Sequence, residues 1–266
     1  MRSPKVLLLR APGTNCDSET AFAFTQAGAT VNPVHVRALC EAPDLLQQHA
    51  ILALPGGFSY GDDLGSGTVL ANELVQMLSE PLQRFVESGG LVLGICNGFQ
   101  VLVKTGLLPG RSFVPTSERK LPGATLTFND SNRFEDRWVH LKIENSESPF
   151  LKSEAGRVVT FPVAHGEGKF MARDETALQK LEDDKQIAFR YSALNGDNPK
   201  YPENPNGARH NIAGITDETG RVLGLMPHPE RYVLPWQHPR WTREGLKTEG
   251  DGMFLFRNAV KHAQKN

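Results

Sequence analysis

The sequence predicts an α/β fold, namely a single domain with a mainly parallel central sheet flanked by helices and an antiparallel extension. Strand and helix signals alternate through the first hundred residues, an order that favours a parallel sheet covered by helices on both faces. The second half instead contains short strand-like segments joined by turn-rich stretches, which is typical of antiparallel pairing. A length of 266 residues fits one large domain with insertions, and we expect that domain to span residues 1–266.

The first half supplies the parallel part of the predicted sheet. Short apolar runs and alternating segments predict strands at 5–10, 30–36, 50–55 and 91–95. Pro33 places the second strand near an edge, because proline cannot donate to a central ladder. Helical periodicity and cap signals predict helices at 17–26, 68–90 and 97–106. Pro81 predicts a kink or break in the second of these helices.

The second half supplies the antiparallel extension and a late return to the main sheet. Strand-like segments lie at 124–129, 137–143, 157–163, 187–192, 211–217 and 221–227, and helical segments at 173–184 and 252–264. A long Pro/Asn/Gly loop occupies 195–210, and long loops in compact proteins are often functional. We expect residues 233–252, which contain Trp236 and Trp241, to form an irregular segment before a final helix.

Composition excludes several classes of protein. The formal net charge is −1, with 29 Lys and Arg against 30 Asp and Glu, which leaves no basic stripe for nucleic acid or an anionic membrane. Neither a secretory segment nor an apolar run of membrane-spanning length occurs. The three cysteines are widely spaced without a CxxC, which argues against a disulfide framework or a zinc knuckle. We expect a cytoplasmic protein with reduced thiols and no metal site.

The stretch "GICNGFQ", residues 94–100, places a cysteine between two glycines where a buried strand meets a helix. This pattern predicts a nucleophile elbow, in which Gly94 and Gly98 allow strand and helix to pack closely around Cys96. Cys96 would be displayed at the carboxyl end of the sheet and beside a helix N-terminus, which favours the thiolate. The alternative is a small buried hydrophobic residue. Cys16 and Cys40 lack such a setting, and we expect neither to act.

A base for this thiol is predicted in "MPHPERY", residues 226–232. Pro229 disfavours the helical conformation at His228 and so favours an extended chain, in which residues two apart face the same side. Glu230 would then accept a hydrogen bond from Nδ1 of His228 and leave Nε2 for Cys96. A surface turn and a two-ligand part of a metal site remain open as alternatives for this motif.

The stretch "ALPGGFSYGDD", residues 53–63, follows the third predicted strand. Its glycines permit backbone amides to turn inward, and such a nest together with the amide of Asn97 would form an oxyanion hole. An ordinary glycine turn is the alternative. We expect the paired acids Asp62 and Asp63 to be solvated.

These motifs together carry a family resemblance. "PGGFSYGDDL", "GICNGFQ" and "MPHPER" resemble the class I (triad) glutamine amidotransferases, which have a flavodoxin-like sheet. "APGTNCDSETAFAF", "NDSNRFEDRW", "PVAHGEGKF" and "PNGARHNIAGI" extend the likeness, more narrowly to glutaminase subunits that serve a synthetase of purine biosynthesis. The resemblance implies that Cys96 attacks glutamine, His228 is the base and Glu230 orients it, with Gly57 and Asn97 at the oxyanion positions. The segment 233–250 is longer and more aromatic than the family pattern.

The resemblance also implies how the activity is divided between subunits. This chain would hydrolyse glutamine to glutamate and ammonia, and a large synthetase subunit, with a small accessory subunit, would use the ammonia in an ATP-dependent step. No phosphate-binding loop of the Walker type occurs in the sequence, since "HGEGKF" lacks the first glycine. We therefore expect no cofactor in this chain, with ATP and magnesium on the synthetase partner.

Two other classes of function remain as alternatives. One is a cysteine peptidase or glyoxalase of the related intracellular peptidase group, whose members commonly place histidine directly after the nucleophile, where this sequence has Asn97. The other is a non-catalytic regulatory subunit that has kept the fold, against which the intact Cys96, His228 and Glu230 argue.

Overall fold

A nine-stranded mixed sheet lies at the centre of the computed structural model, which describes residues 3–110, 123–144 and 147–265. The strands are β1 Lys5–Arg10, β2 Thr30–His35, β3 Ile51–Leu54, β4 Leu91–Ile95, β5 Ala124–Thr127, β6 Glu135–Ile143, β7 Val158–His165, β8 Lys169–Ala172, β9 Ile187–Ser192, β10 Ile212–Thr216 and β11 Val222–Leu225. The helices are α1 Asp17–Gln26, α2 Val36–Glu41, α3 Thr68–Glu87, α4 Asn97–Thr105, α5 Glu175–Asp183, α6 Trp241–Glu244 and α7 Met253–Ala263.

The sheet has a parallel half and an antiparallel half. Its order is β2-β1-β3-β4-β11-β10-β9-β6-β7, in which neighbours are parallel from β2 to β11 and antiparallel from β11 to β7. The predicted parallel core, the antiparallel extension and the late return of the last strand to the main sheet are thereby confirmed. β2, which contains Pro33, lies at the edge as predicted.

The central strands are buried on both faces, which explains why their sequences are almost continuously apolar. Side chains such as Leu7, Leu52 and Leu93 are at most 1% exposed. Across one face, Phe24 of α1 meets Phe256 of α7 edge to face, with ring centroids 4.9 Å apart. No helix within the described ranges is long and apolar enough to cross a membrane.

Three local predictions need correction. Pro81 was predicted to kink or break helix α3, and the break is wrong, because the apolar face of α3 stays packed in the core on both sides of the proline, through residues such as Leu78 and Leu82. Strand β5 pairs with β8, which was not predicted, in a separate two-stranded sheet. The strand expected over 30–36 ends at His35, and helix α2, which was not predicted, begins at Val36. The side chain of His35 caps this helix by accepting a hydrogen bond from the amide of Arg37.

Close packing of α4 against the sheet depends on the glycine at its second position. A Cβ on Gly98 would lie 1.9 Å from the carbonyl oxygen of Leu54 in β3, and one on Gly94 would lie 2.7 Å from the carbonyl oxygen of Gly98. Neither contact is possible for a real side chain, so the strand–turn–helix unit requires glycine at both positions, as the elbow pattern predicted.

Replacing Gly98 with alanine should therefore destabilise the fold. We expect Gly98→Ala to lower the free energy of unfolding by at least about 2 kcal/mol, since the new methyl group meets backbone rather than a flexible side chain. Urea unfolding of both proteins measures this. Gly110→Ala, where a Cβ would meet no atom of the described part of the chain within 4 Å, is the matched control and should stay within about 0.5 kcal/mol. Equal stability of the two variants would contradict the packing argument.

Candidate active site

Three adjacent parallel strands deliver the predicted site residues to one edge of the sheet. The turn at Gly56 and Gly57 follows β3, Cys96 follows β4 and His228 lies three residues beyond β11. The register aligns the ends of these strands, since Gly94 of β4 pairs with both Leu54 of β3 and Gly224 of β11. Because parallel strands end at a common edge, motifs more than a hundred residues apart in sequence meet there.

Cys96 occupies the strained turn that the elbow pattern predicts. Its backbone has φ 52° and ψ −107°, and it forms the N-cap of α4. A positive φ at a residue other than glycine is costly and persists only where the surroundings impose it. The side chain is only 6% exposed, so the thiol is more enclosed than the displayed nucleophile we expected, and it donates to the carbonyl oxygen of Ala164 at 3.6 Å.

His228 and Glu230 form a buried pair. Nδ1 of His228 donates to Oε1 of Glu230 at 2.6 Å, and the two residues are 1% and 0% exposed. The extended conformation expected for the motif is wrong, because His228 has φ −105° and ψ 86°, outside the extended region, and Pro229–Arg231 forms a 3₁₀ turn. The pair therefore meets across this turn. Nε2 of His228 has no hydrogen-bond partner among the described residues, which leaves it available for proton transfer.

The charge state of His228 is set by opposing effects. Burial lowers the pKa of the imidazole, whereas the carboxylate of Glu230 and the nearby Cys96 raise it, and the net result is a pKa well above the ordinary value. The imidazolium form is thus favoured, and a protonated ring beside a thiol can stabilise a thiolate and deliver a proton.

The predicted oxyanion positions flank the same turn. Gly57 has φ +143° and lies opposite Thr14 in an isolated antiparallel β-bridge. Hydrogen bonds run from Phe58 N to Gly13 O at 2.9 Å and from Asn15 N to Gly56 O at 3.4 Å. The amide of Gly57 itself takes part in neither bond. Asn97 is the first residue of α4, where helix amides have no acceptor one turn earlier. Neither amide appears in a backbone hydrogen bond among the described residues.

Gly56 brings the backbone close to both Cys96 and His228. A Cβ on Gly56 would lie 2.9 Å from Cε1 of His228 and 3.4 Å from Cβ of Cys96. Any side chain at this position would collide with the histidine ring, so the motif needs glycine here to let the turn approach the catalytic pair.

Cys16 lies beside His228, a placement that we did not predict. It is 1% exposed, and its sulfur accepts from the guanidinium of Arg231 at 3.1 Å. Burial raises the pKa of the Cys16 thiol, although His228 and Arg231 oppose the shift. A signal was available in the sequence, since "TNCD" follows β1, the strand beside β3, and so reaches the same edge. Cys40 is half-buried and lies in α2, away from this cluster.

The cluster around Cys16 also has a spacing that a metal ion can use. The sulfur of Cys16, a ring nitrogen of His228 and a carboxylate oxygen of Glu230 all lie within 4.8 Å of one another. Arg231, however, places a permanent positive charge against the sulfur, and Glu230 already accepts from His228. These contacts favour a hydrogen-bonded thiol over a metal ligand at Cys16.

Two further groups near the site differ from expectation. Asp62 was expected to be solvated like Asp63, but its carboxylate accepts three hydrogen bonds, from Ser66, Gly67 and Asn97, while Asp63 is exposed. Burial raises the pKa of Asp62, and those hydrogen bonds oppose the shift. His165, in the "HGEGKF" stretch, is 3% exposed. Burial is the main reason that the pKa of His165 falls to about 4, and the nearby His228 adds to the shift, so the ring is neutral.

The tryptophans of the irregular segment are exposed. Trp236 has 58% and Trp241 has 39% of its surface accessible, so neither is packed into the core of this chain. The segment contains a 3₁₀ turn at Pro235–Gln237 and the short helix α6, with loops around them.

Comparisons with known proteins agree with this arrangement. The family model of the CobB/CobQ-like glutamine amidotransferase domain matches residues 3–263. The phosphoribosylformylglycinamidine synthase subunit PurQ of Dehalococcoides mccartyi is 50% identical over 265 residues, which cover 100% of both chains. The subunit PurQ of Methanococcus maripaludis is 42% identical over 274 residues, which cover 98% of each.

A solved structure is also similar. The chain superimposes on a chain of the PurLQS structure from Thermotoga maritima with a TM-score of 0.73, at 31% identity over 98% of this chain and 99% of that one. The glutaminase domain of Trypanosoma brucei CTPS has a TM-score of 0.57 at 14% identity, which supports the likeness of fold alone.

The role of Glu230 in setting the charge of His228 can be tested directly. Glu230→Gln removes the carboxylate that stabilises the imidazolium but leaves the ring buried, so we expect the pKa of His228 to fall. Titration of the histidine ring resonances by NMR measures the change. His49, which contacts Leu45 and Asn32 instead, serves as the internal control and should not shift. An unchanged pKa at His228 would show that Glu230 does not set its charge.

Proposed function

The chain belongs to the CobB/CobQ-like glutamine amidotransferase family, and we infer that it is the glutaminase subunit of phosphoribosylformylglycinamidine synthase. The observation that carries this inference is full-length similarity to PurQ subunits combined with an intact cysteine, histidine and glutamate at one sheet edge. The substrate is glutamine, and the product passed on is ammonia.

The chemistry begins at Cys96. The thiolate sulfur adds to the side-chain amide carbon of glutamine, and the carbonyl electrons move onto oxygen. When the tetrahedral intermediate collapses, His228 donates a proton to the leaving nitrogen, and ammonia departs to leave a γ-glutamyl thioester. His228 then takes a proton from water, whose oxygen attacks the thioester, and glutamate is released with the thiolate restored.

The other site residues support these two steps. Glu230 holds the ring of His228 through Nδ1 and stabilises its charged form, as the 2.6 Å bond and the raised pKa require. The amides of Gly57 and Asn97 donate to the oxygen on which negative charge develops. One such donor is typically worth about 10²–10³ in rate, because it acts where charge appears in the transition state.

The synthetase half of the reaction belongs to a partner. The similar PurLQS structure places a PurQ chain in an assembly with other subunits. We assign ATP and magnesium to the large synthetase subunit, which uses ammonia to turn formylglycinamide ribonucleotide into its amidine. A small accessory subunit completes the complex, and the reaction takes place in the cytoplasm. The exposed Trp236 and Trp241 are the surface that we assign to docking, because tryptophan is enriched at binding hot spots.

The two alternative classes fit the molecule less well. A peptidase or glyoxalase of the related group commonly has histidine directly after the nucleophile, whereas Asn97 occupies that position and the base comes from beyond β11. A non-catalytic subunit has no need for a strained cysteine facing a buried histidine–glutamate pair. Release of ammonia from glutamine, measured against cleavage of peptide substrates, distinguishes these classes.

The division of labour predicts the effect of removing the nucleophile. In the reconstituted complex, Cys96→Ala should reduce glutamine-dependent synthesis by at least about 10³-fold and leave synthesis from added ammonia unchanged. Glu230→Gln should be milder, because that carboxylate orients the base without entering the covalent steps. Rates with each nitrogen donor provide the measurement. Loss of the ammonia-dependent reaction in Cys96→Ala would contradict the assigned role.

Coupling to the partner predicts a dependence on assembly. An uncoupled glutaminase would waste glutamine, so we expect the isolated chain to be about 5–150-fold less active than the complex with nucleotide and amide substrate. Glutamate release with and without the partner subunits measures this. Trp236→Ala and Trp241→Ala should weaken assembly, while Met77→Ala, an exposed residue on α3, should not. Full activity of the chain alone would rule out coupling, and native assembly by both tryptophan variants would rule out the docking surface.

A further inference from the structure

The turn that carries Gly57 continues into a loop with an unusual backbone. We call residues 56–67 the oxyanion loop. Tyr60, Gly61 and Asp62 have φ values of 55°, 72° and 54°, so three consecutive residues adopt the left-handed region. Only glycine enters this region without cost, so contacts from outside must impose the conformation on Tyr60 and Asp62.

The carboxylate of Asp62 supplies a concentrated set of such contacts. Oδ1 accepts from the amide of Gly67 at 3.2 Å and from Nδ2 of Asn97 at 3.1 Å, and Oδ2 accepts from the hydroxyl of Ser66 at 3.0 Å. No lysine or arginine among the described residues forms an ion pair with it. The charge is balanced instead by hydrogen-bond donors from the far end of the loop and from α4, and such charge-assisted bonds are stronger than neutral ones.

The side chain of Asn97 ties this loop to the nucleophile. Its Oδ1 accepts from the amide of Ser59 at 3.2 Å, and its Nδ2 donates to Asp62 and to Oε1 of Gln100 at 3.1 Å each. Asn97 directly follows Cys96 and is itself only 2% exposed. The residue assigned as one oxyanion donor through its backbone therefore fixes, through its side chain, the loop that carries the other donor.

A closed ring of hydrogen bonds results. Nε2 of Gln100 donates to the carbonyl oxygen of Glu167 at 2.7 Å, and the carboxylate of Glu167 accepts from the amide of Ser66 at 3.4 Å, which returns the chain of contacts to Asp62. Asn97, Gln100 and Ser66 are each at most 6% exposed. In so enclosed a setting, removing one acceptor leaves its donors unpaired, which makes the ring cooperative.

We propose that Asp62 is a positioning residue whose carboxylate locks the oxyanion loop, so that the amide of Gly57 stays aligned with that of Asn97 over the reacting carbonyl of glutamine. The proposal rests on the proposed function, because it assigns a role within that same glutaminase site. Among the described residues, Asp62 forms no hydrogen bond with Cys96. It acts through the loop geometry that the hydrogen bonds of Ser66, Gly67 and Asn97 define.

This role affects the transition state more than substrate binding. The donors aim at the position where negative charge develops, so a displaced Gly57 amide weakens stabilisation of the tetrahedral intermediate while the rest of glutamine binds as before. A misplacement of about 1 Å in a catalytic group is enough to cost about 10²-fold in rate. The signature is a fall in kcat without a matching rise in KM.

The experiment measures steady-state glutaminase kinetics in the reconstituted complex. Asp62→Ala should lower kcat by about 10–10²-fold with KM within about 3-fold of the parent. Asp62→Asn keeps an acceptor oxygen for Gly67 and Asn97 and should recover most of the loss, since the hydroxyl of Ser66 can rotate to meet the new amide. Ser66→Ala removes a single bond from the ring and should show the same pattern, only a few-fold in size. Asp63→Ala, the exposed neighbouring acid, is the matched control and should behave as the parent.

Two further readouts separate the possible failures. Alkylation of Cys96 by iodoacetamide and synthesis from added ammonia should match the parent in every Asp62 variant, which shows that thiol and complex are intact. Parental kcat in Asp62→Ala, a loss in KM alone, or equal loss in Asp62→Asn and Asp62→Ala would overturn the positioning role. If Asp62→Ala does not fold, parental kcat in Ser66→Ala would overturn it in the same way. Failure of the proposed function itself would appear elsewhere, as glutamine-dependent synthesis that survives Cys96→Ala.

Discussion

The alignment of three parallel strand ends is the constraint on which the site depends. β3, β4 and β11 are neighbours in register, so the turn at Gly56, Cys96 and His228 emerge at one edge although the chain separates them widely. The late insertion of β11 beside β4 is the decisive step, since it carries His228 past the antiparallel strands and back to Cys96. A shift in the register between β4 and β11 would separate His228 from Cys96 without changing either residue.

Packing around this edge is tight enough to hold costly features. Cys96 keeps a left-handed backbone, and His228 and Glu230 are buried with polar atoms, Nε2 and Oε2, that have no partner among the described residues. Unpaired buried polar atoms and positive φ at residues other than glycine both cost stability, and structures keep them mainly at functional sites. The same packing excludes water, so the charge of Glu230 acts strongly on His228.

The site is wider than the triad. Cys16 and Arg231 contact each other beside His228. The ring of hydrogen bonds through Asp62 and Asn97 lies next to Cys96, which Asn97 directly follows. These groups come from four separate segments, which follow β1, β3, β4 and β11 at the same sheet edge. The family relationship extends over nearly the full length of the chain, since the glutamine amidotransferase domain model matches residues 3–263.

Local sequence pattern determined the fold class and the elbow at Cys96, because each depends on residues a few positions apart whose backbone preferences are strong. The pairing of His228 with Glu230 was also predicted, since the two residues are only two positions apart, although a 3₁₀ turn and not an extended chain brings them together. Tertiary structure alone decided the rest. Pro81 stays within α3 because core packing outweighs one lost hydrogen bond, and β8 exists because β5 lies beside it. Cys16 and Asp62 looked ordinary in sequence, since their contacts with Arg231 and Asn97 join residues that no local spacing relates. Burial and charge balance are properties of those distant contacts, so only the folded chain sets them.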